Sequence, residues 1–162
     1  MANRTRPREF EARDKEWEQK IVDLARVTRV TAGGKRMRFR ACIVIGNKKG
    51  QVGLGVAKGA DVSIAVNKAT NQAHKHIIDV PIVKHGTLPH HIIMKYKAAI
   101  VMLKPAPKGS GIIAGGVVRQ VLELAGVNDA VSKVMGSKNK INNVRATLNG
   151  LSKLNMYKDR VK

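Results

Sequence analysis

Residues 109–116 read GSGIIAGG and carry four of the chain's 15 glycines. An apolar run, IVMLKPA, precedes them and a helix-like run, VVRQVLELAG, follows. Strand, glycine loop and helix is the setting in which backbone amides cradle a nucleotide's phosphates. The first six residues also satisfy G-x-G-x-x-G/A, the dinucleotide-binding pattern. Their context does not. In that fold the first glycine follows its strand at once, whereas here Pro105 and Pro107 intervene. The acid expected about twenty residues on would be Asp129, which follows a helix-capping glycine almost immediately instead of ending a second parallel strand. No G-x-x-x-x-G-K-[ST] run is present. Two other readings stand. Gly109, Gly111, Gly115 and Gly116 permit tight turns and close backbone approach to a neighbour. Alternatively, amides at the helix start, with Lys104 and Lys108 beside them, suit an RNA phosphate.

The remaining reactive side chains form no set. His74 and His76 are two apart on a predicted helix, which splays them to different faces. His85, His90 and His91 have no Cys, Asp or Glu beside them to complete a metal site. No pair of acids is spaced for acid–base work, and Ser110 lacks both a base nearby in sequence and a nucleophile-elbow pattern. Cys42, the single cysteine, lies in the apolar run ACIVI and reads as a buried, inert thiol. No cofactor, no metal, no small-molecule substrate and no catalytic activity are expected.

Charge is the stronger signal. The 162 residues hold 31 Lys and Arg against 11 Asp and Glu, a formal charge of +20. Residues 1–23 are neutral, with six acids and six bases, so the excess sits on the following 139 residues, where 25 bases face five acids. A compact domain that repels itself this strongly calls for a polyanionic partner. An anionic membrane would want an amphipathic basic helix, and the bases here are spread over strands, turns and helix ends. No apolar run approaches the ~18 residues needed to span a bilayer. MANRTRPREF has charge but no apolar core, so no secretory signal is expected and the chain reads as cytoplasmic. With only five aromatic residues and no helix-turn-helix, zinc-finger or aromatic RNA-recognition signature, phosphate and shape recognition should dominate.

The elements that position these charges follow from periodicity. Residues 8–20 mix charges at helical spacing and are read as an arm or short helix. From Ile21 the texture is β: VDLARVTRV, a glycine turn, then KRMRFRACIVIG. Alternation puts Lys35, Met37, Phe39 and Ala41 on one face and Arg36, Arg38 and Arg40 on the other. Three guanidinium groups cannot be buried unpaired, so that face meets solvent or a polyanion, with nothing among so few acids to neutralise it internally. Asn47-Lys48-Lys49-Gly50 is a turn, QVGLGVAKG a third strand, and Asp61 caps a helix running to about Ile77 on the stripe Ala65, Ala69, Ala73 and Ile77. IDVPIVKHGTLP carries a domain junction. HIIMKYKAAIVMLK is a hairpin, a helix runs from the glycine loop to about Ala125 with Gly126 as its C-cap, and AVSKVMGS is a short strand. The last helix starts near Asn142 on the stripe Ile141, Val144, Leu148, Leu151 and Leu154, and the tail NMYKDRVK is polar. The fold class is α+β in two small domains. The divisions are an arm at 1–18, a β-β-β-α domain at 19–80, an α/β two-layer domain at 86–155 and a tail at 156–162.

Three stretches carry a family resemblance: VTRVTAGGKRMRFRACIVIGNKKGQVGLGVAKG, LKPAPKGSGIIAGGVVRQVLELAGV and GSKNKINNVRATLNGL. In this order they resemble the conserved blocks of the bacterial-type fifth protein of the small ribosomal subunit, from about Glu16 to Leu154. The resemblance implies that the first domain is related to the double-stranded RNA-binding fold. It implies binding to small-subunit ribosomal RNA, contacts with the fourth and eighth small-subunit proteins, and a place near the messenger entry channel with influence on decoding accuracy. The loop Thr31-Ala32-Gly33-Gly34-Lys35 matches the region associated with spectinomycin sensitivity. Two positions depart from the pattern: Lys140 stands where the family usually has Pro, loosening the approach to the last helix, and Lys97 where it usually has Gly, at the hairpin turn. The candidate RNA contacts are Arg26, Arg29, Lys35, Arg36, Arg38, Arg40, Lys48, Lys49, Lys58, Lys68, Lys104, Lys108, Arg119, Lys138, Lys140 and Arg145. Gly33, Gly34, Gly53 and Gly55 join the four glycines of the loop as close-approach positions. A nucleic-acid chaperone working off the ribosome is the alternative with the same charge.

Overall fold

In a computed structural model, residues 17–83 and 85–154 are described. The proposed tail at 156–162 and most of the proposed arm lie outside them. Strand β1 (Glu18–Thr31) pairs with β2 (Gly34–Gly46), β2 with β3 (Gln51–Gly59), and β3 with the short β4 (Ile77–Asp79), all antiparallel. Helix α1 (Val62–His74) lies on one face of this sheet. The second sheet runs β5-β6-β8-β7: β5 (Ile92–Tyr96), β6 (Ala99–Pro105) and β8 (Ala130–Val134) antiparallel, with β7 (Ile112–Ile113) parallel to β8. Helices α2 (Gly116–Ala125) and α3 (Lys140–Ser152) lie between the sheets.

The run ACIVI is apolar without alternation because β2 is covered on both faces. Ala41, Ile43 and Ile45 pack with Ala65, Ala69 and Ala73 of α1. Cys42 and Val44 point the other way, into a core shared with Leu122, Leu124 and Val144 from α2 and α3. Burial pushes the Cys42 thiol up to about 11, with the nearby Asp23 carboxylate adding to the shift, so the thiol is inert as expected. Alanines on the helix meet glycines on β3. A Cβ at Gly53 would sit 2.5 Å from the Ala73 carbonyl oxygen, and one at Gly55 would overlap the Ala69 carbonyl outright. Gly59 is confined in the same way, 2.6 Å from the Ala65 amide nitrogen.

Three boundaries differ from the sequence reading. Glu18, Gln19 and Lys20 belong to β1, not to a helical arm, because they pair with Gly46, Ile45 and Val44. Helix α1 stops at His74, and Ile77 instead pairs with Gly53 as an edge strand, where two β-branched isoleucines in succession fit better than in a last helical turn. Within the proline- and glycine-containing junction, Val80 and Leu88 are buried in the shared core. Helix α3 begins at Lys140, two residues before the expected start, with Asn139 as N-cap accepting from the Asn142 amide at 3.1 Å. Lys140 therefore stands at the first helical position, which favours proline, and its ammonium reaches Asp23 at 3.3 Å. The β5–β6 turn places Lys97 at φ 53, in the left-handed region.

Candidate nucleic-acid interface

Beyond Arg40 the β1–β2 hairpin leaves the body of the protein. Every residue from Thr28 to Arg38 is exposed, Val30 to 72%. Register sets Arg29 opposite Arg36, Val27 opposite Arg38, and Arg40 beside Lys58 of β3. Like charges directly opposite one another destabilise a sheet, so this face acts against the hairpin until a counter-charge arrives. Arg29, Arg36, Arg38 and Lys58, with Val27 and Thr28, line a groove of about 290 Å³. None of the four has a carboxylate partner among the described residues. At the tip the Thr31 hydroxyl donates to the Gly34 carbonyl at 3.0 Å, and a Cβ at Gly33 or Gly34 would meet open space.

The other predicted contacts divide. Five are engaged within the chain, correcting the expectation that so few acids would leave nothing to neutralise them. Arg40 donates to Asp23 at 3.2 Å, and Lys140 shares that carboxylate. Lys48 pairs with Glu18. Arg119 and Lys20 hold Glu123 at 3.0 and 2.6 Å, with Lys20 the larger cause of a carboxyl pKa below the usual range. Arg145 donates to the Tyr96 hydroxyl at 2.8 Å and sits over its ring at 5.7 Å. Setting Glu18 and Asp23 aside in a neutral stretch at 1–23 hides these pairs, because both acids lie in β1. Arg26, Lys35, Lys49, Lys68, Lys104, Lys108 and Lys138 are exposed and scattered over both sheets, α1 and the loops. Sequence reasoning passed over Lys95 and Lys133, which the pairing of β5, β6 and β8 presents on the second sheet near exposed Ile93. The alternation of IIMKY was the available signal.

Asp129 does return to the glycine loop, in a different role from the one a nucleotide fold would give it. Its carboxylate accepts from the Gly111 amide at 2.7 Å, and its own carbonyl accepts from the Thr87 hydroxyl at 2.8 Å. Asp129 is 5% exposed. The amide a phosphate would seek is taken, and a negative charge stands beside it. Gly109 and Gly111 hold φ of 90 and 69, so backbone conformation accounts for them, while a Cβ at either, or at Gly116, would meet nothing within 4 Å. Gly115 caps α2 and is only in ordinary contact distance of Val134. The glycines that do confront backbone in this half are not among the expected close-approach positions: Gly126, read only as a C-cap, against Lys48, and Gly136 against Ala98. Among the described residues no three His, Cys, Asp or Glu side chains gather in a metal-holding group, and no helix is long and apolar enough to cross a membrane.

The chain is thus a basic two-sheet α+β protein with an outlying arginine hairpin, and comparison with known proteins gives its family. Residues 17–81 match "Ribosomal protein S5, N-terminal domain" and residues 94–162 match "Ribosomal protein S5, C-terminal domain". The chain is 46% identical over 162 residues to small ribosomal subunit protein uS5c of Porphyra purpurea, covering 100% of this chain and 93% of that protein. It is 48% identical over 160 residues to small ribosomal subunit protein uS5 of Thermosynechococcus vestitus, covering 98% and 91%. The chain belongs to the ribosomal protein S5 family, whose members are structural components of the small ribosomal subunit and not enzymes.

Proposed function

We propose that the chain binds small-subunit ribosomal RNA through the hairpin groove of Arg29, Arg36, Arg38 and Lys58, and supports subunit assembly and translational accuracy beside the messenger entry channel. The observation that carries this is the cross-strand pair of arginines with no carboxylate partner among the described residues: a cation cluster left unneutralised there needs a polyanion. Its relatives are small ribosomal subunit proteins, which supports that particle as the setting. Ordered ribosomal RNA phosphates would relieve the Arg29–Arg36 repulsion and fix the hairpin. The rest of the surface, including the glycine loop and the lysine-bearing face of the second sheet, is then available for the fourth and eighth small-subunit proteins. Sedimentation of cell extract tests the assignment. The chain should co-migrate with 30S particles after a moderate salt wash, whereas a chain found only in the soluble fractions would point to a nucleic-acid chaperone off the ribosome.

A further inference from the structure

Helix α1 covers β2 and β3 but leaves the edge strand β1 open on that face. Ile21 and Leu24, opposite Ile43 and Ala41, are 50% and 45% exposed there. At the head of this open strip lies a groove of about 410 Å³ between the start of β1 and the flank of α1. Trp17 and Gln19 form one wall; Asn67, Thr70, Asn71 and His74 form the other, on successive turns of the helix. Among the described residues no carboxylate lines it. Trp17 meets His74 edge-to-face, with centroids 5.7 Å apart and planes at 80°, and no ring among the described residues stacks flat on it. Thr70 donates to the Gln19 carboxamide oxygen at 3.0 Å, leaving that amide's two N–H groups. The exposed Asn67 and Asn71 carboxamides have no hydrogen-bond partner among the described residues. Lys68 and Lys75 stand on the neighbouring helical stripe, both exposed.

We infer that this groove receives one unstacked nucleobase of a bound RNA, adenine ahead of the others. The inference rests on the RNA-binding reading above and adds a second, separate point of contact. An indole offers a stacking surface for any base. An asparagine or glutamine carboxamide sets a donor and an acceptor side by side, the complement of the adenine N6 and N7 edge. Lysines one stripe away are placed for the flanking phosphates. The volume exceeds that of a single base, so size does not exclude it.

Trp17 is the only tryptophan, so its emission, excited at the red edge to avoid nucleotide absorbance, reports on the groove in the full chain. AMP should quench it saturably while ribose 5-phosphate does not, and a short single-stranded oligo(A) should quench at lower concentration than AMP. The double substitution Asn67→Ala and Asn71→Ala, on exposed positions, should weaken oligo(A) binding about five-fold or more with an unchanged circular dichroism spectrum. Equal response to AMP and ribose 5-phosphate would overturn the base groove. So would tight AMP binding with oligo(A) excluded, which would make a free nucleotide the occupant. If nothing quenches Trp17 while a ribosomal RNA fragment still binds in a filter assay, the groove is wrong and the hairpin reading stands. If that RNA also fails to bind, both fall.

Discussion

Strand β2 ends in two turns that look alike in sequence, and the fold treats them in opposite ways. TAGGK and NKKG each combine glycine with lysine, and both read as basic loops offered to a polyanion. The first stands clear of the protein, with open space beside both glycines and, among the described residues, no carboxylate partner for Lys35. The second is docked. The Lys48 and Gly50 amides donate to the carbonyls of Leu124 and Ala125 at 3.0 and 2.9 Å, and the Lys48 ammonium meets Glu18. Gly126, in the left-handed region at φ 86, lets the end of α2 come against the Lys48 carbonyl. The difference teaches that a lysine's role depends on which backbone ends meet it. The orphan carbonyls at a helix C-terminus take up the amides of one turn and have nothing to offer the other.

The largest test of that contrast is steric. Gly126→Ala puts a Cβ into the Lys48 carbonyl and forces a left-handed alanine, so urea unfolding should show a loss of about 2–4 kcal/mol. Gly33→Ala at the free turn should stay within about 0.5 kcal/mol. Similar losses at both positions would erase the distinction. A third glycine turn extends it. Asp129 is buried and ties down the Gly111 amide, so Asp129→Ala should remove about 1–3 kcal/mol, with Asp129→Asn retaining part of it. A loop that keeps full stability without the carboxylate would return its amides to consideration as an anion site.

Much of the fold was legible in the sequence. The three-strand-and-helix order of the first half, the hairpin of the second, the Gly126 cap and the burial of Cys42 all follow from local pattern. What escaped has a common physical cause, which is that tertiary neighbours override local signals. Ile77 left the helix because β3 needed an edge partner. Lys140, Arg40 and Lys48 are paired because Asp23 and Glu18, remote in sequence, stand in β1 beside them. At the candidate site, alternation placed Arg36 and Arg38 on one face, but only strand register shows that Arg29 and Lys58 complete the groove.

Two smaller effects sharpen the comparison. The β5–β6 turn, like the hairpin tip, is exposed, yet it carries a lysine where left-handed backbone favours glycine. Lys97→Gly should therefore raise stability by about 0.5–1 kcal/mol, and a loss would mean that the side chain's position over Tyr96 matters more. At the docked turn, Glu123 joins β1 to α2 through Lys20. Its folded pKa lies below the ordinary 4.5, so its contribution is complete above that value and is lost as pH falls through the folded one. Wild-type protein should lose a few tenths of a kcal/mol more than Glu123→Gln on acidification below about pH 4.5. Parallel pH curves for the two would remove this pair from the account.

The central claim is that the free hairpin, and not the docked turn, carries the phosphate contacts. The most direct measurement is the slope of log affinity for a small-subunit ribosomal RNA fragment against log salt, taken between ~50 and ~200 mM. The account predicts a steep wild-type slope. Replacing Arg29, Arg36, Arg38 and Lys58 by glutamine should make it shallower by about three to four, near one per lost phosphate contact. Replacing Lys20 and Lys48, both already paired with carboxylates, should change it by less than about one. An unchanged slope for the groove variant, or an equal change for the two, would contradict the claim.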